Sequence, residues 1–220
     1  MTEIEFSPAG FVSHMQAFLE AIPDGERRIV AIAGAPASGK TSLAAKLEHR
    51  LNGTEPGGCA VLPMDGFHYD DELLGPRGWQ ARKGAPHTFD VGGLSATLRR
   101  LRANDEAAVA VPRFDRSIEI ARAGAILIGR SVRLVIAEGN YLLVQDPPWD
   151  SLAPIFDRTA LIVIDEVEME RRNRQRWVDS DMDETAIRAK LEDNDLPNGR
   201  LVYARSAEPD YIIRNQEHSP

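Results

Sequence analysis

The sequence predicts an α/β protein whose core is a mostly parallel, five-stranded sheet with helices on both faces. Three observations predict it. Five short apolar runs, at residues 29–33, 59–64, 133–137, 160–164 and 211–213, have the length and β-branched character of strands buried on both faces. Segments of helical period fall between them, as crossovers between parallel strands require. A glycine-rich turn at 34–41 joins the first run directly to a helical pattern carrying Leu43 and Leu47 on one face.

At 220 residues the chain is long for one domain and short for two. It shows no internal repeat, low-complexity tract or linker, and is read as one domain over 1–220. An apolar fraction of 43% and a charged fraction of 27% are ordinary for a globular protein. A net charge of −8 argues against nucleic acid as the main partner, because phosphate-backbone binding is driven by clustered Lys and Arg. The single Cys59 cannot form an internal disulfide. The amino-terminal Met-Thr-Glu-Ile-Glu-Phe lacks the basic start and apolar stretch of a leader, and no apolar run approaches the roughly 20 residues of a membrane helix. A cytoplasmic protein without membrane insertion is expected.

Taken in order, Ser7-Pro8 supplies an N-cap and first-turn proline for a packing helix carrying Phe11, Met15, Phe18 and Ile22. Pro23-Asp24-Gly25 ends it. Residues 71–89 read as an irregular loop punctuated by Gly75-Pro76, Gly78, Gly84 and Pro86, the form of a substrate-pocket wall. Asp90 then caps a helix whose stripe is Leu94, Leu98 and Leu101. Residues 109–114 and 125–130 predict a small hairpin. An acid-rich run at 179–183 precedes a further helix at 184–192, and residues 194–199 read as a break before the last strand.

Gly34-Ala35-Pro36-Ala37-Ser38-Gly39-Lys40-Thr41 fits G-x-x-x-x-G-K-[ST] without mismatch, between a strand and a helix. Glycines let backbone N–H groups converge on phosphates, and the helix dipole favours negative charge there. Lys40 would reach the β- and γ-phosphates and Thr41 would ligate Mg²⁺; Ser42 completes the loop. A P-loop NTPase of three-layer α/β/α build that binds a nucleoside triphosphate is implied. Asp90-Val91-Gly92-Gly93 matches the short D-x-x-G signal of GTPases, but no N-K-x-D guanine signal accompanies it.

Three strands end in an acid: Asp65, Glu138 and Asp165. Ligands of parallel α/β sheets sit beyond the carboxyl ends of the strands. Asp65 ranks first as the base that accepts a proton from an attacking hydroxyl. Glu138 ranks second, as a metal or substrate ligand, with that choice open. Asp165 leads into a helix and ranks as its cap. That helix carries Arg171, Arg172, Arg174 and Arg176; surface ion pairing accounts for such density, and so does a cationic lid over about 168–185. Arg171 and Arg174 share a face and are the lid candidates.

Together GAPASGKTS, MDGFHYDDELL, RKGAPHTFDVGGL, VPRFDRS, EGNYLL, FDRTALIVIDEV, the arginine helix and NDLPNGRLV resemble the P-loop kinases that include uridine kinase, pantothenate kinase and phosphoribulokinase. The likeness looks closest to the branch whose bacterial members are described as fructose-transport-system kinases. It implies a sheet ordered 2-3-1-4-5, ATP with Mg²⁺, and Asp65 as catalytic base. It also implies acceptor contacts at His68, Tyr69, Lys83, Phe89 and Asp90, in pocket insertions at about 65–90 and 109–130. Arg113, Asp115, Glu138 and Tyr141 would complete the pocket, and lid arginines carry over to Arg171 and Arg174. Two departures bear on the acceptor: Arg116-Ser117 stands where relatives often have a histidine, and the lid reads R-W-V-D-S-D where relatives often carry Arg-His and a glycine. The expected activity is transfer of the γ-phosphoryl of ATP to a hydroxyl of a sugar-like molecule, with nucleoside or pantothenate as alternative acceptors. A switch or chaperone-type NTPase that hydrolyses without an acceptor is the alternative of another class. A homodimer stays open alongside a monomer.

Overall fold

The computed structural model describes residues 4–216; residues 1–3, part of the stretch read for a leader, lie outside the described residues. Among the described residues no helix is long and apolar enough to cross a membrane. The chain runs β1 (Ile4–Phe6), α1 (Pro8–Glu20), β2 (Arg28–Gly34), α2 (Lys40–Thr54), β3 (Cys59–Pro63), a short α3 (Asp71–Leu74), α4 (Val91–Ala103), β4 (Ala108–Asp115), β5 (Ile120–Gly129), β6 (Leu134–Glu138), β7 (Arg158–Val163), α5 (Glu166–Val178), α6 (Glu184–Lys190), α7 (Leu196–Arg205) and β8 (Tyr211–Arg214). Three 3₁₀ turns fill most of 75–88, as the irregular reading of that stretch expects.

The main sheet is parallel throughout, in the order β1-β8-β7-β2-β6-β3. The five expected runs hold the expected order, and β1 adds a sixth strand at the edge. β1 is only three residues long and alternates Ile-Glu-Phe, so nothing in the sequence marks it as a buried strand. β4 and β5 form the separate antiparallel hairpin.

Alternation along the central strands divides the core in two. Ile29, Ala31, Ala33, Val135 and Ala137 face the layer formed with α4, the base of the hairpin and the 3₁₀ segment Trp149–Ile155. Val30, Ile32, Leu134 and Ile136 face α1 and α2. Strands covered on both sides carry no polar side chain until their tips, and the tips are where function can sit.

Arg27, only 6% exposed, ties these layers together at the opposite edge of the sheet. Its guanidinium donates to the carbonyls of Val132 (2.8 Å), Leu101 (2.9 Å) and Gly129 (2.6 Å), joining the start of β2 to the ends of α4 and β5. A buried guanidinium must place its donors, and the carbonyls of Val132 and Leu101, buried with it, must find some. Arg27→Ala is expected to lower the unfolding free energy by about 3 kcal/mol through loss of these charge-assisted bonds, readable as a shift in the urea midpoint. An unshifted midpoint would show that the clamp is dispensable.

Candidate active site

β2 delivers Gly34 to the carboxyl edge of the sheet, and the loop 34–41 turns there into α2. Gly39 has φ +96, a left-handed conformation that glycine alone adopts without strain, and a Cβ on it would strike the Asn215 side chain. Gly39 caps α2 without a side-chain hydrogen bond, and the first turn contains no acid. The first N–H groups are thus left for an anion. Lys40 is buried, and its Nζ donates to the Ala35 carbonyl at 2.8 Å across the loop. Asn173 Nδ2 donates to the Pro36 carbonyl at 3.3 Å, and Asn215 Nδ2 to that of Ser38 at 2.8 Å.

Glu138, 5% exposed, stands at the tip of β6 and accepts the Thr41 hydroxyl at 3.2 Å. Burial pushes its carboxyl above the usual carboxylate range, with Asp65 adding to the push and Lys40 opposing it. Burial likewise holds Lys40 below the usual lysine range, against the fields of Glu138 and Asp65. No cluster of three or more His, Cys, Asp or Glu able to hold a metal exists among the described residues. Thr41 and Glu138 instead present two adjacent hard oxygens beside the phosphate loop, the kind of partial ligand set that Mg²⁺ completes with phosphate oxygens and water.

Asp65 follows β3 in the 3₁₀ turn Met64–Phe67 and faces the same cleft, which encloses about 390 Å³. Its Oδ2 accepts Arg116 Nη2 at 2.8 Å. Gly66 beside it lies so close to β4 that a Cβ would come within 2.5 Å of the Pro112 carbonyl oxygen. That contact sets the distance between the base-bearing turn and the hairpin. Asp165 caps α5, accepting the Glu168 N–H at 2.7 Å, as its third rank expects.

Of the expected acceptor contacts, His68, Lys83, Phe89 and Glu138 line the cleft. His68 packs against Phe89 (4.1 Å) and Phe114 (4.7 Å), its Nδ1 donates to the Asp65 carbonyl at 2.8 Å, and burial lowers its basicity. The remaining acceptor candidates lie elsewhere. Tyr69 and Asp90 are off the cleft wall, and Asp90 is spent capping α4 through the Gly93 N–H (2.8 Å). Arg113 and Asp115 lie beyond a register shift in β4 and turn away, and Asp115 binds Arg122 and Ser117. Phe114, between them, faces in. Tyr141 is wholly buried behind the wall and steadies it by donating to the Gly84 carbonyl at 2.7 Å.

The structure also leaves Arg171 and Arg174 outside the cleft. Arg171 forks onto Glu168 at 2.7 Å, and Arg174 pairs with Glu184. Arg176 faces in instead, stacked 4.4 Å from the Trp177 ring centroid and bonded to Asp195 Oδ1 at 3.2 Å. Asp195 also accepts Trp177 Nε1 at 2.7 Å. It belongs to a π-helical turn, Leu191–Asp195, that runs α6 directly into α7. The expected break at 194–199 is therefore a widened helical turn, with Pro197 tolerated near the start of α7. It brings Asn194, Asp195 and Asn198 to the cleft; the i, i+4 asparagines on an otherwise apolar face were the signal for it. Counted by side chain, the wall carries five cations (Lys40, Lys83, Arg116, Arg176, Lys190) against four carboxylates (Asp65, Glu119, Glu138, Asp195).

A phosphate loop opening on strand-tip carboxylates within a three-layer α/β/α fold defines an ATP-dependent phosphotransferase. No protein-family model matches the chain. It is 30% identical over 206 residues to a provisionally named uridine kinase of Schizosaccharomyces pombe, spanning 89% of this chain and 86% of that protein. To the ATP-dependent kinase YFH7 of Kluyveromyces lactis it is 26% identical, over 72% of this chain and 57% of the other. A crystal structure from Silicibacter sp. TM1040, provisionally named a fructose transport system kinase, superposes with a TM-score of 0.84 at 37% identity. That match covers 94% of this chain and 98% of the other. The chain belongs to the P-loop kinases of the uridine kinase type, and its substrates are ATP and a small molecule.

Gly66→Ala is expected to push the Asp65 turn off β4 and cut turnover at least tenfold, since about 1 Å of misplacement can cost 10²-fold. ATP binding should survive, because the phosphate loop lies on other strands. Unchanged turnover would show that the Gly66–Pro112 contact does not set the geometry.

Proposed function

We propose that the acceptor is a hydroxyl of a sugar-like molecule and that Asp65 receives its proton. The observation that carries this reading is that Asp65 opens into the same cleft as Lys40, near enough for its charge to bear on that lysine. The likeness, at 37% identity, to a protein provisionally named for fructose transport supports a sugar-like acceptor.

In this mechanism Asp65 orients the hydroxyl and takes its proton as the oxygen bonds to the γ-phosphorus. The bond between that phosphorus and the β,γ-bridging oxygen breaks, and its electron pair leaves with ADP. Lys40 and the N–H groups at the start of α2 hold the phosphates. Thr41 and Glu138 would hold Mg²⁺, which when bound neutralises phosphate charge. Arg176, braced by Asp195 and Trp177, takes the place assigned by resemblance to Arg171 and Arg174, stabilising spread negative charge on the transferring group. The α5 segment and the π turn shield the reaction from water. We assign this chemistry to the cytoplasm.

ADP release should rise when one member of a panel of sugars, nucleosides and pantothenate is added; release indifferent to every acceptor would overturn the reading in favour of a hydrolysing switch. Asp65→Asn should retain ATP affinity while turnover falls by roughly 10²-fold or more. Arg176→Ala should lower kcat by about tenfold or more, whereas Arg171→Ala and Arg174→Ala, which break exposed ion pairs, should change it less than about threefold. The reverse ranking would restore the two exposed arginines to the mechanism.

A further inference from the structure

Arg116 occupies an unusual position. It stands at the tip of the β4–β5 hairpin with its side chain 63% exposed, yet one of its nitrogens reaches 2.8 Å into the cleft to Asp65. That bond is its sole hydrogen bond among the described residues, and its guanidinium otherwise lies 5.9 Å from the Phe114 ring centroid. Most of a planar fork of five N–H donors is thus uncommitted, directly beside the carboxylate that meets the acceptor. Lys190 lines the same cleft without an ion pair among the described residues, its ammonium 5.7 Å from the Trp177 ring centroid. By contrast, Lys83 is held by Asp71 (2.7 Å) and Arg176 by Asp195.

Arg116 and Lys190 stand where a neutral sugar would need no cation. The cleft wall carries more cations than carboxylates, in a chain whose net charge is −8. Lys40 and Arg176 are used by the transferring phosphates. Once an acceptor hydroxyl approaches Asp65, the Arg116 guanidinium loses part or all of its partner and needs another acceptor oxygen close by. Glu119, on the same hairpin, is not within ion-pair distance of it. Arginine is matched in shape and charge to a carboxylate or phosphate, which it binds through two parallel N–H bonds.

We infer that the acceptor is an anion, carrying a carboxylate or phosphate close to the hydroxyl that is phosphorylated, and that Arg116 selects for it. This rests on the kinase reading above and narrows it to hydroxy acids or sugar phosphates. Arg116 alternates between two partners: Asp65 in the empty cleft, and the anionic group of the acceptor when it is filled. The acceptor thereby uncovers the base that serves it.

The test uses the whole protein with ATP and Mg²⁺ and matched pairs of acceptors: gluconate against glucose, glycerate against glycerol, and fructose 6-phosphate against fructose. At least one anionic member should exceed its neutral partner by about tenfold or more in kcat/KM, the scale of a lost charge-assisted pair. The pair in which this happens tells carboxylate from phosphate. Arg116→Ala, whose fold is checked by its melting curve, should shrink that preference below about threefold, chiefly through KM, and Arg116→Lys should restore part of it. A neutral member used as well as its anion, or a preference untouched by Arg116→Ala, would overturn the inference while leaving the kinase reading intact. If no acceptor of either kind stimulates ADP release, the kinase reading falls and this inference falls with it.

Discussion

A buried ammonium facing a buried carboxylate is the constraint on which the rest of the structure depends. Lys40 and Glu138 are each largely removed from water, and burial drives both toward their neutral forms. Their nearness opposes that drive, each favouring the other's charged form, and that nearness follows from the sheet. β2 and β6 are hydrogen-bonded neighbours in a register that sets Glu138 opposite Ile32, two residues before Gly34. The loop then folds back and hands Lys40 to its own Ala35 carbonyl. An apolar central strand, a tight glycine loop and a strand-tip acid are thus parts of one electrostatic arrangement. A polyphosphate entering it meets donors already in place, with little reorganisation left to the moment of reaction.

The other half of the cleft comes from sequence-distant pieces. The 3₁₀ turn after β3 supplies Asp65, the hairpin supplies Phe114 and Arg116, and the π turn supplies Asp195. Each is held by backbone contact or by buried polar bonds. Gly66 lets β4 approach, and Asn194 Nδ2 donates to the Lys83 carbonyl at 3.0 Å, locking the loop 75–88 against α6 and α7. The nucleotide side is rigid by topology. The acceptor side is assembled from loops and side-chain networks, which is where related kinases can change acceptor without changing fold.

The sequence was legible where a single physical signal sufficed. Buried strands show as uninterrupted apolar runs, and the phosphate loop shows because a buried strand, the Gly34–Thr41 motif and a helix start coincide. Parity and facing were harder. Arg113 and Asp115 carry the chemistry that attracts attention and share the parity of the buried Val109 and Val111, yet a register shift between Val111 and Arg113 breaks the alternation and turns Phe114 inward instead. On α5 the i, i+3 spacing groups Arg171 with Arg174 correctly but does not say which way they face. The buried residues Met169 and Asn173 do: continuing their stripe by three residues reaches Arg176. The π turn stayed hidden because Pro197 and Asn-Gly imitate a break, and β1 because three edge residues leave no pattern to read.

The arginine helix and the last strand are also fastened to the phosphate loop from behind. Asn173 grips it at Pro36, Asn215 grips it at Ser38, and Arg172 joins these two attachments by donating to the Asn215 carbonyl at 2.8 Å. The loop is therefore spliced to chain nearly 180 residues downstream, through amide side chains and without any covalent link. Loosening the segment beyond β8 would slacken the nucleotide grip from a distance. A fusion partner or tag attached there would act as an unintended handle on how firmly the enzyme holds its phosphates.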